Sequence, residues 1–376
     1  MGLPGDPMKP KLLLTALTLA VFADPGTVRA GEAAAPTATQ RWLGSVPVPE
    51  FRPAATPAAW AQQRAEIRAT LQRLLGDFPP RTAPSRVRVM ERRVQDGYIL
   101  EKFAFEDGLG ATVPGYLFLP TGLAAKAPAI LYCHWHGGEW PVGKQEMLQT
   151  NATPVPPGPT LARLGYAILG IDAPGFGERN GQGPGGPQEK NGAAELTAAK
   201  FNLWAGRTLW GMTLRDDLTA LDYLCSRPEI DPARIGVTGI SMGSTRTWWL
   251  MALDDRLRAG VGVACLTRYE DLIAQEGLAA HGIYYFVPGL LRHFDTEAVV
   301  ACIAPRPLLF LTGDRDPGSP VTGIQTIVAK VTPLYRLSGA EGHFQSVIYP
   351  DTGHIYLPAM WQRMVAWMDE YVKNPK

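Results

Sequence analysis

Gly239-Ile240-Ser241-Met242-Gly243 lies between an apolar run, Arg234 to Thr238, and a run with helical spacing, Ser244 to Leu253. A serine at a sharp strand-to-helix turn is held with its Oγ clear of the sheet, which is the setting of a nucleophile. The glycines two places to either side have a physical reason. A turn this tight brings backbone onto backbone, and a Cβ there would strike the neighbouring strand or helix. Amides at the start of the following helix, with its dipole behind them, can stabilise an oxyanion. The chain holds 40 glycines in 376 residues, so the pentapeptide can arise by chance and the flanking sequence has to carry the reading.

Outward from Ser241, continuous apolar strands alternate with helices. Ala129 to His134, Tyr166 to Asp172, Arg234 to Thr238, Ala259 to Leu266, Pro307 to Thr312 and Gln345 to Tyr349 read as strands. Gln62 to Leu75, Leu209 to Ser226 and Ala359 to Val372 read as helices. Val87 to Glu106 alternates like antiparallel strands, and Val113 to Leu119 adds another. The pattern predicts an α/β fold: a mainly parallel sheet with helices on both faces and antiparallel strands at its N-terminal edge. Ligands of such sheets bind outside the carboxyl ends of the strands. Three long segments there, Trp140 to Pro159, Pro174 to Gly192 and Arg268 to Asp295, read as walls or lids.

Composition bounds the function. With 46% hydrophobic and 19% charged residues and a formal net charge of +1, the chain is an ordinary globular protein with no surface suited to nucleic acid. Lys9 and Lys11 precede an apolar run, Leu12 to Ala23, and Val28-Arg29-Ala30 offers small residues for cleavage. That order predicts a signal peptide over residues 1–30 and a secreted or periplasmic protein starting near Gly31, with no membrane anchor in the mature form. Residues 31–60 read as a linker that wraps the domain, and residues 61–376 as one domain with its catalytic core from about Ala129. Cys133, Cys225, Cys265 and Cys302 lack paired spacing and read as free thiols. No His/Cys cluster suggests a metal, and no cofactor is expected.

A serine hydroxyl needs a base, and the base needs an orienting carboxylate. After Ser241 the strand ending at Thr312 runs into Gly313-Asp314-Arg315-Asp316-Pro317. Asp316 is the preferred acid, because the turn lets its carboxylate fold back over the sheet edge, and Asp314 is the alternative that would cap the turn. His354 follows the next strand in Asp351-Thr352-Gly353-His354 and precedes the last helix, which makes it the base. An oxyanion hole takes the N–H of Met242 and one from His134-Trp135-His136-Gly137-Gly138, with His136 preferred and Gly137 or Gly138 in reserve. Trp140, Trp210, His281 and Tyr284 are candidate substrate walls. Glu178 and Arg179, just past a strand end, read as an ion pair supporting the site, with a substrate contact as the alternative.

These segments, HWHGG, GFGER, GISMGS, GDRDPGSP and DTGH, occur in an order that resembles the α/β-hydrolase superfamily from Ala129 to the C-terminus. The likeness is to acetyl xylan esterase-like and dienelactone hydrolase-like members, which in turn resemble prolyl oligopeptidase catalytic domains. It implies the α/β-hydrolase fold and a Ser-His-Asp acyl-enzyme mechanism. Two departures matter. Dienelactone hydrolases proper carry cysteine where this chain has Ser241, and the roughly one hundred residues between Gly31 and Ala129 cannot form the propeller of a prolyl oligopeptidase. The expected activity is that of an exported serine ester hydrolase, an acetyl esterase acting on carbohydrate or small-molecule esters. A prolyl oligopeptidase-like peptidase and a non-catalytic binding protein are the competing readings, and the sequence leaves the oligomeric state open.

Overall fold

The computed structural model describes residue 35 and residues 37–375. The expected signal peptide, residues 1–30, lies outside them. The unit from Ala38 to the C-terminus is built on one nine-stranded sheet. Its strands are β1 (Arg88–Gln95), β2 (Tyr98–Glu106), β3 (Thr112–Pro120), β4 (Ala127–Cys133), β5 (Ala167–Ile171), β6 (Ile230–Ile240), β7 (Ala259–Val263), β8 (Leu308–Gly313) and β9 (Phe344–Tyr349). They lie in the order β1-β2-β3-β5-β4-β6-β7-β8-β9. The first four in that order pair antiparallel, and every pair from β5-β4 to β8-β9 is parallel. An antiparallel edge on a parallel sheet is the arrangement the strand patterns predict.

Ten α-helices surround the sheet: α1 (Ala38–Ser45), α2 (Pro57–Leu75), α3 (Pro157–Arg163), α4 (Asn191–Trp204), α5 (Leu209–Ser226), α6 (Met242–Leu253), α7 (Tyr269–Ala274), α8 (Thr296–Ala301), α9 (Val321–Leu337) and α10 (Pro358–Met368). Period-two alternation along each strand splits the core between the two faces. Ala129 and Leu131 of β4 face a cluster holding Trp210, Trp248 and Trp249. Ile130 and Tyr132 face another that holds Met360, Met364 and Met368 of α10. Both faces are therefore dry, which is why these strands read as unbroken apolar runs.

Helix α2 starts at Pro57, five residues before the expected Gln62, because Thr56 caps it by accepting the N–H of Ala59. The segment 31–60 thus contains helix as well as linker. Helix α5 spans the expected residues, and Thr208 caps it through the N–H of Gly211. Helix α9 was not legible as a helix, and the Arg268 to Asp295 segment contains α7 and three short 3₁₀ turns. All four cysteines are free. No helix among the described residues is long and apolar enough to cross a membrane.

Candidate active site

Ser241 has φ 59° and ψ −117°, a backbone conformation that costs a non-glycine residue strain. The reason is crowding from β4. A Cβ on Gly239 would lie 2.2 Å from the carbonyl oxygen of Cys133, and one on Gly243 would lie 2.0 Å from the same atom. Both glycines are there for close approach; the positive φ falls on the serine between them. Ser241 opens α6, and the first bond of that helix runs from the Thr245 N–H to the Ser241 carbonyl. The amides of Met242, Gly243 and Ser244 are left to point at whatever sits before the helix.

On one side of Ser241 lie the ends of β8 and β9. His354 Nδ1 donates to Asp316 Oδ2 at 2.9 Å, which leaves Nε2 as the acceptor nitrogen. Asp316 is buried, and its Oδ1 accepts the Gly318 N–H at 2.9 Å. Burial alone would raise its pKa, but the bond and charge of His354 and the amides of Gly318 and Cys265 hold it below the ordinary carboxylate value. Asp314 is exposed and accepts the Thr352 N–H at 3.1 Å, so it caps the turn. No hydrogen bond joins Ser241 Oγ to His354 among the described residues.

The loop after β4 lies on the other side. His134 is fully buried. Its Nδ1 donates to the Trp135 carbonyl at 2.7 Å and its Nε2 accepts the Ala173 N–H at 3.1 Å. Burial, aided by the Arg246 guanidinium, pushes its pKa well below the histidine value, so it stays neutral. Three of the next amides are committed: Trp135 N–H to Glu146 Oε2 (2.7 Å), Gly138 N–H to His136 Nδ1 (3.1 Å) and Glu139 N–H to the His136 carbonyl (2.8 Å). Only those of His136 and Gly137 in this stretch make no hydrogen bond with the described residues, which removes Gly138 as an oxyanion donor. Gly137 and Gly138 have φ of 51° and 74°, so the turn behind His136 demands glycine.

Buried charge ties this loop to α6. Arg246 of α6 bonds both oxygens of Asp217 on α5, at 2.9 and 2.5 Å, and reaches the His134 carbonyl at 3.4 Å. Glu146 accepts Tyr132 O–H at 2.5 Å as well as the Trp135 amide. Its burial pushes its pKa up to about 7 in spite of those donors. Glu178 and Arg179 do not pair with each other. Glu178 bonds Lys102 and Lys144, while Arg179 bonds Asp107 and Asp216 in the interior.

The Arg268 to Asp295 segment touches both sides. Asp295 anchors its ends, accepting the amides of Tyr269, Glu270 and Thr296. Tyr284 stacks on the His136 ring with centroids 4.8 Å apart, and His281 Nε2 lies 3.3 Å from the Gly318 carbonyl beside Asp316. Burial lowers the His281 pKa. Trp140 donates Nε1–H to Glu195 Oε2 at 3.0 Å and sits edge-on to His136. Trp210 is corrected: it is wholly buried against Trp249 and Tyr284, behind the site rather than lining it. A cavity of about 480 Å³ beside α4, lined by Arg179, Asn202, Arg207 and Met212 among others, does not reach Ser241 or His354. Among the described residues no cluster of His, Cys, Asp and Glu could hold a metal.

Glu146 and Glu195 are site residues that the sequence reading missed. Glu195 is an acid set among small and apolar residues, Ala193-Ala194-Glu195-Leu196, which was a weak signal; Glu146 lies in the polar stretch Lys144-Gln145-Glu146 and carried none.

The Abhydrolase family model matches residues 42–352. YtaP of Bacillus subtilis (strain 168), which its name places among the hydrolases, is 34% identical over 311 residues, covering 82% of this chain and all of YtaP. Among solved structures, the glucuronoyl esterase of Solibacter usitatus superposes with a TM-score of 0.64 at 17% identity, over 86% of this chain and 98% of that one. Acetyl xylan esterase 1 of Thermoanaerobacterium sp. JW/SL YS485 gives a TM-score of 0.55 at 16% identity, over 87% and 97%. These two establish likeness of fold. Fold, family match and curated relative agree: the chain belongs to the Abhydrolase family and is a hydrolase of the α/β-hydrolase fold.

Proposed function

We propose that this hydrolase is an exported serine esterase that cleaves acetyl or related esters of carbohydrates and small molecules. One observation carries the mechanism: His354 is bonded through Nδ1 to a buried, ionised Asp316 in the loops after β8 and β9, at the same carboxyl edge of the parallel sheet as the strained Ser241 after β6. With Nδ1 occupied, His354 Nε2 takes the Ser241 proton as Oγ attacks the ester carbonyl. The tetrahedral oxyanion is met by the Met242 N–H at the head of α6 and by the uncommitted N–H of His136, with Gly137 as the neighbouring donor. The imidazolium then protonates the leaving alcohol. Water, deprotonated by the same nitrogen, hydrolyses the acyl-enzyme. Trp140 and His281, both partly exposed, offer rings that suit a sugar face, while Tyr284 is buried behind His136 and backs that wall without forming its surface. The structural likeness to a glucuronoyl esterase and an acetyl xylan esterase favours carbohydrate esters.

Ser241→Ala keeps both glycines of the turn and should fold, while turnover of p-nitrophenyl acetate falls by roughly four to six orders of magnitude. Activity within tenfold of wild type would end the assignment. Acetylated sugars, uronate esters and aminoacyl anilides assayed together separate carbohydrate esterase from peptidase; hydrolysis of the anilides alone would overturn the esterase reading. Export rests on the Lys9 to Ala30 pattern. Protein recovered from an exporting host should have an intact mass that starts near Gly31, and a full-length product retained in the cytosol would contradict it.

A further inference from the structure

The His136 ring is held by a residue far away in the chain. Glu195, on α4 and 4% exposed, accepts His136 Nε2–H at 2.7 Å and Trp140 Nε1–H at 3.0 Å, both on the same oxygen, Oε2. The first bond fixes the tautomer: with the proton on Nε2, His136 Nδ1 is the acceptor that captures the Gly138 N–H. That capture folds Gly137-Gly138 back under the ring. Tyr284 stacks on the ring's face, and Trp140 and Phe176 pack edge-on to it. The ring therefore serves as the fixed post around which the loop bends, and the His136 backbone amide, which bonds nothing among the described residues, belongs to that bend. A buried carboxylate accepting two N–H donors in a dry site is a strong and geometrically demanding acceptor.

We infer that Glu195 is the positioning residue of the oxyanion hole: it holds the His136 imidazole so that the His136 and Gly137 amides face the developing oxyanion. The inference rests on the proposed Ser241 mechanism and adds a residue that touches neither substrate nor nucleophile. Its effect should appear in kcat, because an oxyanion donor acts on the transition state and contributes little to ground-state binding.

In Glu195→Ala, kcat for an acetyl ester should fall roughly 10²-fold with KM changed little, the loss expected for one misaligned donor. Glu195→Gln should recover most of it, because a single amide oxygen can accept both N–H groups. A readout specific to the oxyanion is the ratio of oxoester to thionoester turnover, since sulfur is a poor acceptor of these hydrogen bonds. Wild type should prefer the oxoester strongly, and Glu195→Ala should lose a large part of that preference. His136→Ala, which keeps the amide but removes the post, should match Glu195→Ala in rate and ratio, and the double variant should be no worse than either. It also decides the matter where Glu195→Ala fails to fold. Wild-type kcat in Glu195→Ala, or a lower kcat with an unchanged oxo-to-thiono ratio in either variant, overturns the inference. Ser241→Ala run alongside separates the two claims: if it stays active the mechanism falls, and if it is inert while Glu195→Ala is normal, only the role of Glu195 falls.

Discussion

The two sides of Ser241 are held in opposite ways. Towards β8 and β9, the His354 side chain is 32% exposed and makes one hydrogen bond, to Asp316. Towards β4, the His134–Gly138 loop is pinned by Glu146, by Glu195 through a ring, and by Arg246 of α6. The contrast fits what each side would do in the proposed mechanism. A base that takes a proton from Oγ and gives it to a leaving group has to shift by fractions of an ångström between the two, so its anchor is a single pivot. Oxyanion donors work by being in place before charge develops, so any motion there is lost stabilisation. On the proposed mechanism, a loose base and a locked hole are two requirements of one reaction.

If that contrast is right, the pivot should be worth more than any single pin. Asp316→Asn should lower turnover by roughly 10⁴-fold, because the amide can present an N–H to His354 and favour the wrong tautomer. Asp314→Asn should lose less than roughly tenfold, since its Oδ1 can still accept the Thr352 amide and no catalytic group depends on its charge. Steady-state kinetics on the pair breaks the comparison if the two losses are reversed. The Glu195 variants then fall in the middle, between the pivot and the lesser pins.

What the sequence disclosed and what it hid divide along the same line. The strands, the Leu209–Ser226 helix and the Ser241 turn are set by local pattern, and local pattern can be read. The pairing of Asp316 with His354 could be anticipated because each sits just past an apolar strand. Helix α9 was missed because Val321, Thr322, Ile324, Thr326, Ile327 and Val328 are β-branched and Pro333 lies inside it. The spacing of Ile324, Ile327, Val331, Leu334 and Tyr335 nevertheless marks a helical core face, and all five are buried. Trp210 had a similar signal: it precedes Leu214 by one helical turn, on the side of α5 that faces the core. Glu195 is a different case. Its partner His136 lies 59 residues away, and nothing in either neighbourhood announces the pairing. A preorganised site is built from long-range contacts, so it is the part a single sequence conceals.

The last prediction reads stability instead of turnover: it concerns Glu146 and tests whether the locked side carries a fixed charge. Burial pushes its pKa up to about 7, against 4.5 for an ordinary glutamate, so the folded state holds a proton that the unfolded chain releases. Stability rises with pH only where the unfolded state binds more protons; here the folded state binds more. Glu146 therefore contributes stability that is present at low pH and lost as pH rises from about 4.5 through about 7, on the order of 3 kcal/mol at most. Asp316, held below the ordinary carboxylate value, acts in the other sense and loses its contribution as pH falls. Denaturant melts of wild type and Glu146→Gln between pH 5 and 8 isolate the first effect, because every other group is common to both. A glutamine can still accept the Trp135 amide, so the variant should fold, and its stability relative to wild type should improve as pH rises from 5 to about 7 and level off above that. Parallel curves would mean that the bonds from Tyr132 and Trp135 keep Glu146 ionised at every pH in that window. The loop would then be pinned by a charge, and the contrast with the single pivot at His354 would be sharper still.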